Sequence, residues 1–473
     1  MTYETYISVL DRLAELIKGT RFENNVYAVG GCVRDSIIGR EIKDIDLVVS
    51  IEKGGTDLAS ELYTRHLLSH QPVKYETYGT AMFRLKDFPD LELEAVQTRK
   101  EQYHTESRNP ETSFGTIEED VMRRDLTINA IYYNVSTREM LDLTGGQEDI
   151  ERRIIRVTST PDIVYDDDPL RILRAIRFYG QLNTGIKDPG NFWVIDKATF
   201  DGMKSHSHRL NIISKERIAT EFHKMLMTDY PSECLELLRK TNAMHFVIPE
   251  LEETYDMTQN EYHFGTVWEH TLKVVDNASA QTRDLNVLMA AVLHDIGKIK
   301  TRSVKDGKVH FYEHERASEQ MIPDILRALK EPVEMMREVS RLAGGHMMAK
   351  PWKDDLSGVK HIDRSVRKLQ YRYGKEMLDK LLILIDADNK AHAEGHCLPN
   401  QARLIREVSD RLVETSMDMF GYRLPVTGDD IMESKQIKPS REVRRCLDYL
   451  IKLAYNNPKI SKEECLKAAK SFK

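Results

Sequence analysis

The sequence predicts an α+β fold in which a mixed-sheet module at the amino end gives way to a long helical remainder. Three observations carry this. Short β-forming runs separated by turn residues fill the early part of the chain, helical periodicity takes over after Asp168 as glycine thins out, and the histidines gather in the helical middle. At 473 residues the chain exceeds one ordinary core, and its 41% hydrophobic and 31% charged content describes a folded, well-solvated, multidomain protein.

The elements follow in order. Ile7, Leu10, Leu13 and Ile17 recur at helical spacing within Thr5–Lys18, which predicts an amphipathic opening helix ending near Gly19. The period then changes to that of strands over Val26–Val29, Ile45–Val49, Ala81–Leu85, Leu91–Val96 and Ile131–Val135, giving a sheet module over residues 1–155. Helical patterns at Pro169–Tyr179, Lys215–Met227 and Cys234–Lys240, with a loop-like stretch Gln181–His208, predict a helical neck over 156–252. Helices over 253–396 carry most of the histidines. A charged helical tail, 397–473, is broken and capped at Thr427-Gly428-Asp429-Asp430.

Composition limits the possible functions. A formal net charge of −7 means that any nucleic-acid contact comes from a local patch rather than the overall field. The five cysteines lack CxxC spacing, which argues against a disulfide framework or a zinc ribbon and for a reducing compartment. The amino end has no basic segment leading into an apolar core, and no apolar run of about 18 residues occurs, so no membrane association and a cytoplasmic location are expected.

The first chemical constellation is Tyr27-Ala-Val-Gly-Gly-Cys-Val-Arg-Asp35 followed by Lys43-Asp44-Ile45-Asp46. Strand, glycine turn and helix start let the backbone N–H groups around Gly30 and Gly31 face a phosphate. Asp44 and Asp46 share one face of a strand, and paired carboxylates there invite Mg²⁺ and two-metal in-line transfer. Glu94 on the strand LELEAV is the expected third carboxylate, with Glu92 as fallback on the same face. Asp168 and Arg171, three apart on a predicted helix with Pro169 in its first turn, form the second constellation. One carboxylate and one guanidinium match the amine donor and ring-nitrogen acceptor shared by cytosine and adenine, and mismatch uracil and guanine. Arg174 and Arg177 continue the basic face toward triphosphate or RNA backbone.

GGCVRDSIIGREIKDIDLVV resembles the signature of class II tRNA nucleotidyltransferases and bacterial poly(A) polymerases, members of the polymerase-β-like superfamily. EAVQTRKEQY, RNPETSFGTIEEDVMRRDLTINAIYYNV, DLTGGQEDI, DDDPLRILRAIRF and SKERIATEFHKML extend the likeness in the family's order over about residues 20–227. Leu126 stands where the family usually has Phe, and Asp167 where its motif has Glu. The resemblance implies a polymerase-β-like head using Mg²⁺, with Arg34, Arg124 and Asp125 around triphosphate and ribose. It further implies CTP and ATP as substrates and tRNA as the acceptor of CMP, CMP and AMP. Poly(A) synthesis, A-only addition and CC-only addition share these motifs, although the intact loop Arg99–Glu119 fits a switch from C to A.

The third constellation alternates histidine and carboxylate: Trp268-Glu-His270, His294-Asp295-Ile-Gly-Lys298, Tyr312-Glu-His314, Gly345-His346 and Ile385-Asp386. Burying His294-Asp295 in an apolar helix costs several kcal/mol unless the pair is partnered or metal-bound. The pattern resembles an HD-domain metallophosphohydrolase. The resemblance implies His270, His294, Asp295 and Asp386 as core ligands of a divalent metal of unspecified identity, with His314 and His346 as the additional ligands of binuclear members. An alternative of another class is therefore a phosphohydrolase whose amino-terminal module only binds nucleotide or RNA. The tail arginines Arg441, Arg444 and Arg445 are candidate RNA contacts.

Overall fold

The computed structural model describes residues 1–104, 107–260 and 265–472, without the side chains at 78, 101–104 and 107–111. The chain divides into two compact units, Met1–Pro249 and Glu250–Lys473.

In the first unit, α1 (Tyr3–Ile17) buries Val9, Leu10, Leu13 and Ile17 along one stripe and is capped by Thr2. Then come β1 (Val26–Val29), α2 (Gly31–Ile38), β2 (Ile45–Val49), α3 (Gly54–Thr64), β3 (Val73–Tyr75), β4 (Thr80–Phe83) and β5 (Leu93–Gln97). A hairpin, β6 (Arg99–His104) and β7 (Ser107–Phe114), precedes α4 (Ile117–Met122), β8 (Ile131–Asn134), β9 (Met140–Asp142), α5 (Gly146–Arg152) and β10 (Ile154–Ile155). The segment Arg99–Glu119 is thus largely a hairpin and a helix start; its positions 105 and 106 lie outside the described residues.

The main sheet has strand order β3-β4-β5-β2-β1-β8-β9. Its β2–β5 pair is parallel and the others antiparallel, which makes the sheet mixed. Helical structure dominates the rest of the unit: α6 (Pro161–Asp167), α7 (Leu170–Asn183), the two-residue β11 (Val194–Ile195), α8 (Lys197–His206), α9 (Lys215–Leu226), α10 (Pro231–Lys240) and α11 (Met244–Val247). The expected loop Gln181–His208 contains the whole of α8. Its glycine and polar residues conceal Phe200 and Met203 one turn-face apart, and Asp196 caps the helix by accepting from the Thr199 N–H.

The second unit comprises α12 (Val267–Ser279), α13 (Leu285–Leu293), α14 (Lys298–Thr301), a hairpin of β12 (Arg302–Lys305) and β13 (Lys308–Phe311), α15 (His314–Ala328), α16 (Val333–Gly345), α17 (Ile362–Tyr373), α18 (Lys375–Lys390), α19 (Gln401–Glu414), α20 (Gly428–Lys435), α21 (Arg441–Ala454) and α22 (Lys462–Ser471). Helix α13 is apolar all round, with Val287–Leu293 buried, so it runs through the core and delivers whatever follows it to the interior. The tail keeps a small core of its own around Ile431, Cys446, Leu450 and Cys465. The Thr427/Asp430 capping box stands at the start of α20 as expected.

Candidate active site and metal centre

In the first unit the sheet register assembles three carboxylates. Val29 pairs with Asp46 across β1–β2, Asp46 pairs with Glu94 across β2–β5, and Asp44 lies two residues back along the same chain. Burial and the neighbouring Asp44 and Glu94 push the Asp46 carboxyl up to about 6, against the opposing pull of Arg124. Mutual repulsion of this kind is what a bound divalent cation relieves, so the residues fit such a group. Glu92 precedes β5 and is drawn to Arg84 at 3.2 Å, which leaves Glu94 as the third acid.

Gly30 sits beside them with φ 80°, in the left-handed region, and a Cβ there would lie 3.6 Å from Asp46 Oδ2. It is also the N-cap of α2, so the first N–H groups of that helix open next to the carboxylates. Arg34, on α2, donates to Asn129 Oδ1 at 2.6 Å, while Asn129 Nδ2 donates to Asp125 Oδ1 at 3.2 Å. Arg174 reaches the other Asp125 oxygen, Oδ2, through two nitrogens at 2.8 and 2.5 Å. Burial alone would raise the Asp125 carboxyl, but Arg174 and Asn129 outweigh it and hold the group far below the carboxylate range. Asn129, absent from the sequence-derived set, is thus the link between the glycine turn and α7. Arg124 donates to Tyr132 at 2.8 Å and to buried Asp120 at 3.2 Å, and Arg177 pairs with Glu221 at 3.2 Å. The Phe178 ring lies under Arg34, Arg174 and Arg177, with centroid distances of 5.2, 5.7 and 4.3 Å.

Asp168 and Arg171 do not share a helix face. Pro169 disfavours the helical region for the residue before it, so Asp168 is extended (φ −140°, ψ 99°) and α7 begins only at Leu170. The Asp168 carboxylate accepts from the Leu170 N–H at 3.1 Å and faces Arg217 at 3.3 Å. Arg171 donates to the backbone carbonyls of Arg123 at 2.7 Å and Val164 at 3.2 Å.

In the second unit, five elements converge on a buried cluster. His270 comes from α12, His294 and Asp295 from the end of α13, His314 from the first residue of α15, His346 from the end of α16 and Asp388 from α18. Asp295 stands at the centre. Its Oδ2 lies 3.2 Å from His294 Nε2 and 3.6 Å from His270 Nε2, and its Oδ1 lies 3.2 Å from His314 Nε2 and 3.8 Å from His346 Nε2. Two triads that could each hold a metal ion therefore share one carboxylate.

The Nδ1 atoms of His294, His314 and His346 face the carbonyls of Ala291, Phe311 and Ala343 at 2.9, 2.9 and 2.5 Å. Donation there leaves the Nε2 lone pairs pointing inward. The Nε2 atoms of His270 and His294 stand 3.4 Å apart and those of His314 and His346 3.3 Å apart, an arrangement suited to a cation between them. Burial pushes His270 down to about 4 and His346 down to about 3, so both are neutral and ligand-ready at neutral pH.

Asp386 does not join this cluster: its carboxylate pairs with Lys390 at 2.7 Å. Two residues along a helix turn about 200°, so Asp388 faces the opposite side and reaches His270 Nε2 at 3.1 Å. Sequence reasoning also missed Lys350, whose Nζ lies 2.9 Å from Asp388 Oδ2. Lys298, noted only as part of a motif, is buried with Nζ 2.6 Å from Asp295 Oδ2 and donates to Gln259.

Three family models match the chain: "Poly A polymerase head domain" over residues 26–156, "Probable RNA and SrmB- binding site of polymerase A" over 194–254, and "HD domain" over 267–392. A "Multifunctional CCA protein" of Nitrosococcus oceani is 31% identical over 437 residues, 89% of this chain and 98% of the relative. An "A-adding tRNA nucleotidyltransferase" of Deinococcus radiodurans is 29% identical over 279 residues, 58% of this chain and 60% of the relative. Among solved structures, the CCA-adding enzyme of Bacillus stearothermophilus in complex with CTP superposes with a TM-score of 0.66 at 20% identity, covering 98% of this chain and 96% of that one. That likeness establishes a shared fold.

Proposed function

Because the chain belongs to the family of multifunctional CCA proteins, we propose that it adds CMP, CMP and AMP from CTP and ATP to the 3′ end of tRNA. The observation that carries this reading is the register that sets Asp46 beside both the Gly30 turn and Glu94. Asp44, Asp46 and Glu94 would hold Mg²⁺, which when bound lowers the charge barrier to attack on the α-phosphate and to pyrophosphate departure. The N–H groups at Gly30 and Gly31, with Arg34, Arg124 and Asp125, bind triphosphate and ribose. Arg174 orients Asp125, while Arg177, expected to continue the basic face, is buried against Glu221 and supports α7 from within.

Asp168 and Arg171 read the amine and ring nitrogen of C or A in this proposal, each braced from a different side rather than by one another. Arg441, Arg444 and Arg445, exposed on α21, offer phosphate contacts to the RNA. Five free cysteines fit a cytoplasmic setting.

The test is direct. A tRNA transcript lacking its tail, supplied with each NTP separately and together, should gain two C and one A and then arrest. Asp44→Ala and Asp46→Ala should abolish incorporation, and retained activity would overturn the assignment. Continued A addition would instead indicate a poly(A) polymerase; A addition only to ends already bearing CC, or arrest after CC, would indicate the partial activities.

The histidine cluster favours a second reading alongside the first. His270, His294, Asp295, His314, His346 and Asp388 would hold one or two divalent ions, which when bound activate water toward a phosphate ester. Water attacks phosphorus, the ester P–O bond breaks, and the alcohol leaves. An RNA 3′ end freed of phosphate in this way gains the hydroxyl that nucleotide addition needs. Phosphate release from a 3′-phosphorylated RNA, lost in His346→Ala, tests it; release unaffected by that substitution would remove the cluster from the reaction.

A further inference from the structure

A cavity of about 350 Å³ opens outward from the histidine cluster, and its walls differ from end to end. The inner end carries Asp295, His314, His346 and Asp388 together with two cations, Lys298 and Lys350. Lys350 Nζ is 2.9 Å from Asp388 Oδ2 and 2.9 Å from His392 Nε2, which holds its ammonium on the cavity wall next to the cluster. The outer end carries His310 and Tyr312.

These two rings stack with centroids 5.1 Å apart and planes 9° from parallel. Their pairing follows from the chain: at the end of β13, residues 310 and 312 alternate to one side, while Phe311 turns to the other and is buried under the Lys298 ammonium, 5.4 Å from its ring centroid. Tyr312 is nonetheless 66% exposed, a large ring face left open to water beside His310. Open aromatic faces beside a pocket that holds two ammonium groups and a candidate metal cluster suit a nucleoside phosphate, because stacking accepts any base and the phosphate supplies the anion. A bare phosphate or a protein side chain would use the inner end alone.

We propose that Tyr312, backed by His310, is a specificity-determining platform that stacks the base of a nucleoside phosphate whose phosphoryl group lies inward by Lys350. This rests on the phosphohydrolase reading for its catalytic consequence, and on the cavity alone for binding. A free nucleotide and the terminal nucleotide of an RNA present the same chemistry.

The full-length protein, with added Mn²⁺, is to be assayed on adenosine 3′-monophosphate, on an RNA oligomer ending in a 3′ phosphate, and on p-nitrophenyl phosphate. Tyr312→Ala should raise KM for the nucleotide substrates roughly ten-fold, the loss expected for one base–aromatic stack, with kcat and p-nitrophenyl phosphate hydrolysis within about two-fold. Tyr312→Trp should restore KM. A shift confined to the monophosphate or to the RNA supports the platform and names its source.

Equal effects on all three substrates, or none, overturn the platform while leaving the hydrolase reading intact. If the wild-type protein hydrolyses none of them, calorimetric binding of adenosine 3′-monophosphate in an Arg171→Ala background decides separately. Weakening by Tyr312→Ala then supports the platform without the hydrolase, and unchanged or undetectable binding overturns it.

Discussion

At the scale of single residues, Asp46 makes a prediction with a definite sign. Its carboxyl is held up at about 6 in the fold, above the roughly 3.9 of an unfolded aspartate. Ionising it therefore costs the cation-free protein stability. The cost is absent below pH ~4, where both states are protonated, and complete above about 6. Asp46→Asn should stabilise the protein in EDTA at pH 8 by on the order of 1–2 kcal/mol, and by nothing at pH 4. A melting-temperature series against pH measures this; parallel curves at all pH values would contradict the crowding of Asp44, Asp46 and Glu94. A second prediction separates Asp388 from Asp386. Asp388→Asn should strip divalent metal from the second unit, measured by elemental analysis after dialysis against each ion, whereas Asp386→Asn should leave it bound. The approach of Asp46 to Glu94 was legible because strand alternation is local and fixes a face within two residues, whereas Asp44 stands just before β2. Asp388 was not, because Asp386 and Asp388 lie on one helix and only packing selects the face that meets His270. Asn129 was missed for a related reason: an amide in a turn looks like any cap until Arg34 and Asp125 arrive from elsewhere in the chain.

At the scale of elements, periodic segments were readable and joints were not. The opening helix and the strands at Val26, Ile45 and Ile131 follow their patterns closely. Asp168 illustrates the joint: i,i+3 spacing argues for one face, yet Pro169 stops the preceding helix and turns Asp168 into a cap. The hairpin β12–β13 was hidden for another reason, since its exposed strands bury little and carry no apolar alternation. Gly297 shows how much a joint can matter. A Cβ there would come within 2.2 Å of the His314 carbonyl oxygen and 2.5 Å of the Ser318 nitrogen. Only glycine lets the start of α15 close over the end of α13, bringing His314 to Asp295. Gly297→Ala should destabilise the protein by about 1–3 kcal/mol, the usual range for overpacking, and should weaken metal binding at the cluster. Gly307→Ala is the control. Its φ of 75° makes alanine strained, but nothing lies within 4 Å of the added carbon, so melting should fall slightly while metal binding stays unchanged.

At the scale of the whole molecule, the two sets of candidate metal ligands belong to different compact units, the carboxylates to Met1–Pro249 and the histidine cluster to Glu250–Lys473. Each set draws its ligands from within its own unit: strand register assembles the first, and helix termini the second. Substitutions without shared partners usually act independently. An Asp44→Ala/Asp46→Ala double variant should therefore lose nucleotide incorporation by at least ~100-fold, the scale of removing a charge-stabilising group, while phosphate release stays within about two-fold of wild type. His294→Ala should do the reverse. Both can be measured on one RNA ending in a 3′ phosphate. Phosphate release would precede incorporation in the wild type, incorporation alone would fail in the first variant, and both would fail in the second until an RNA with a free 3′ hydroxyl is supplied. Rescue by the hydroxyl-ended RNA is the decisive readout, because a damaged fold would not be restored by a change of substrate.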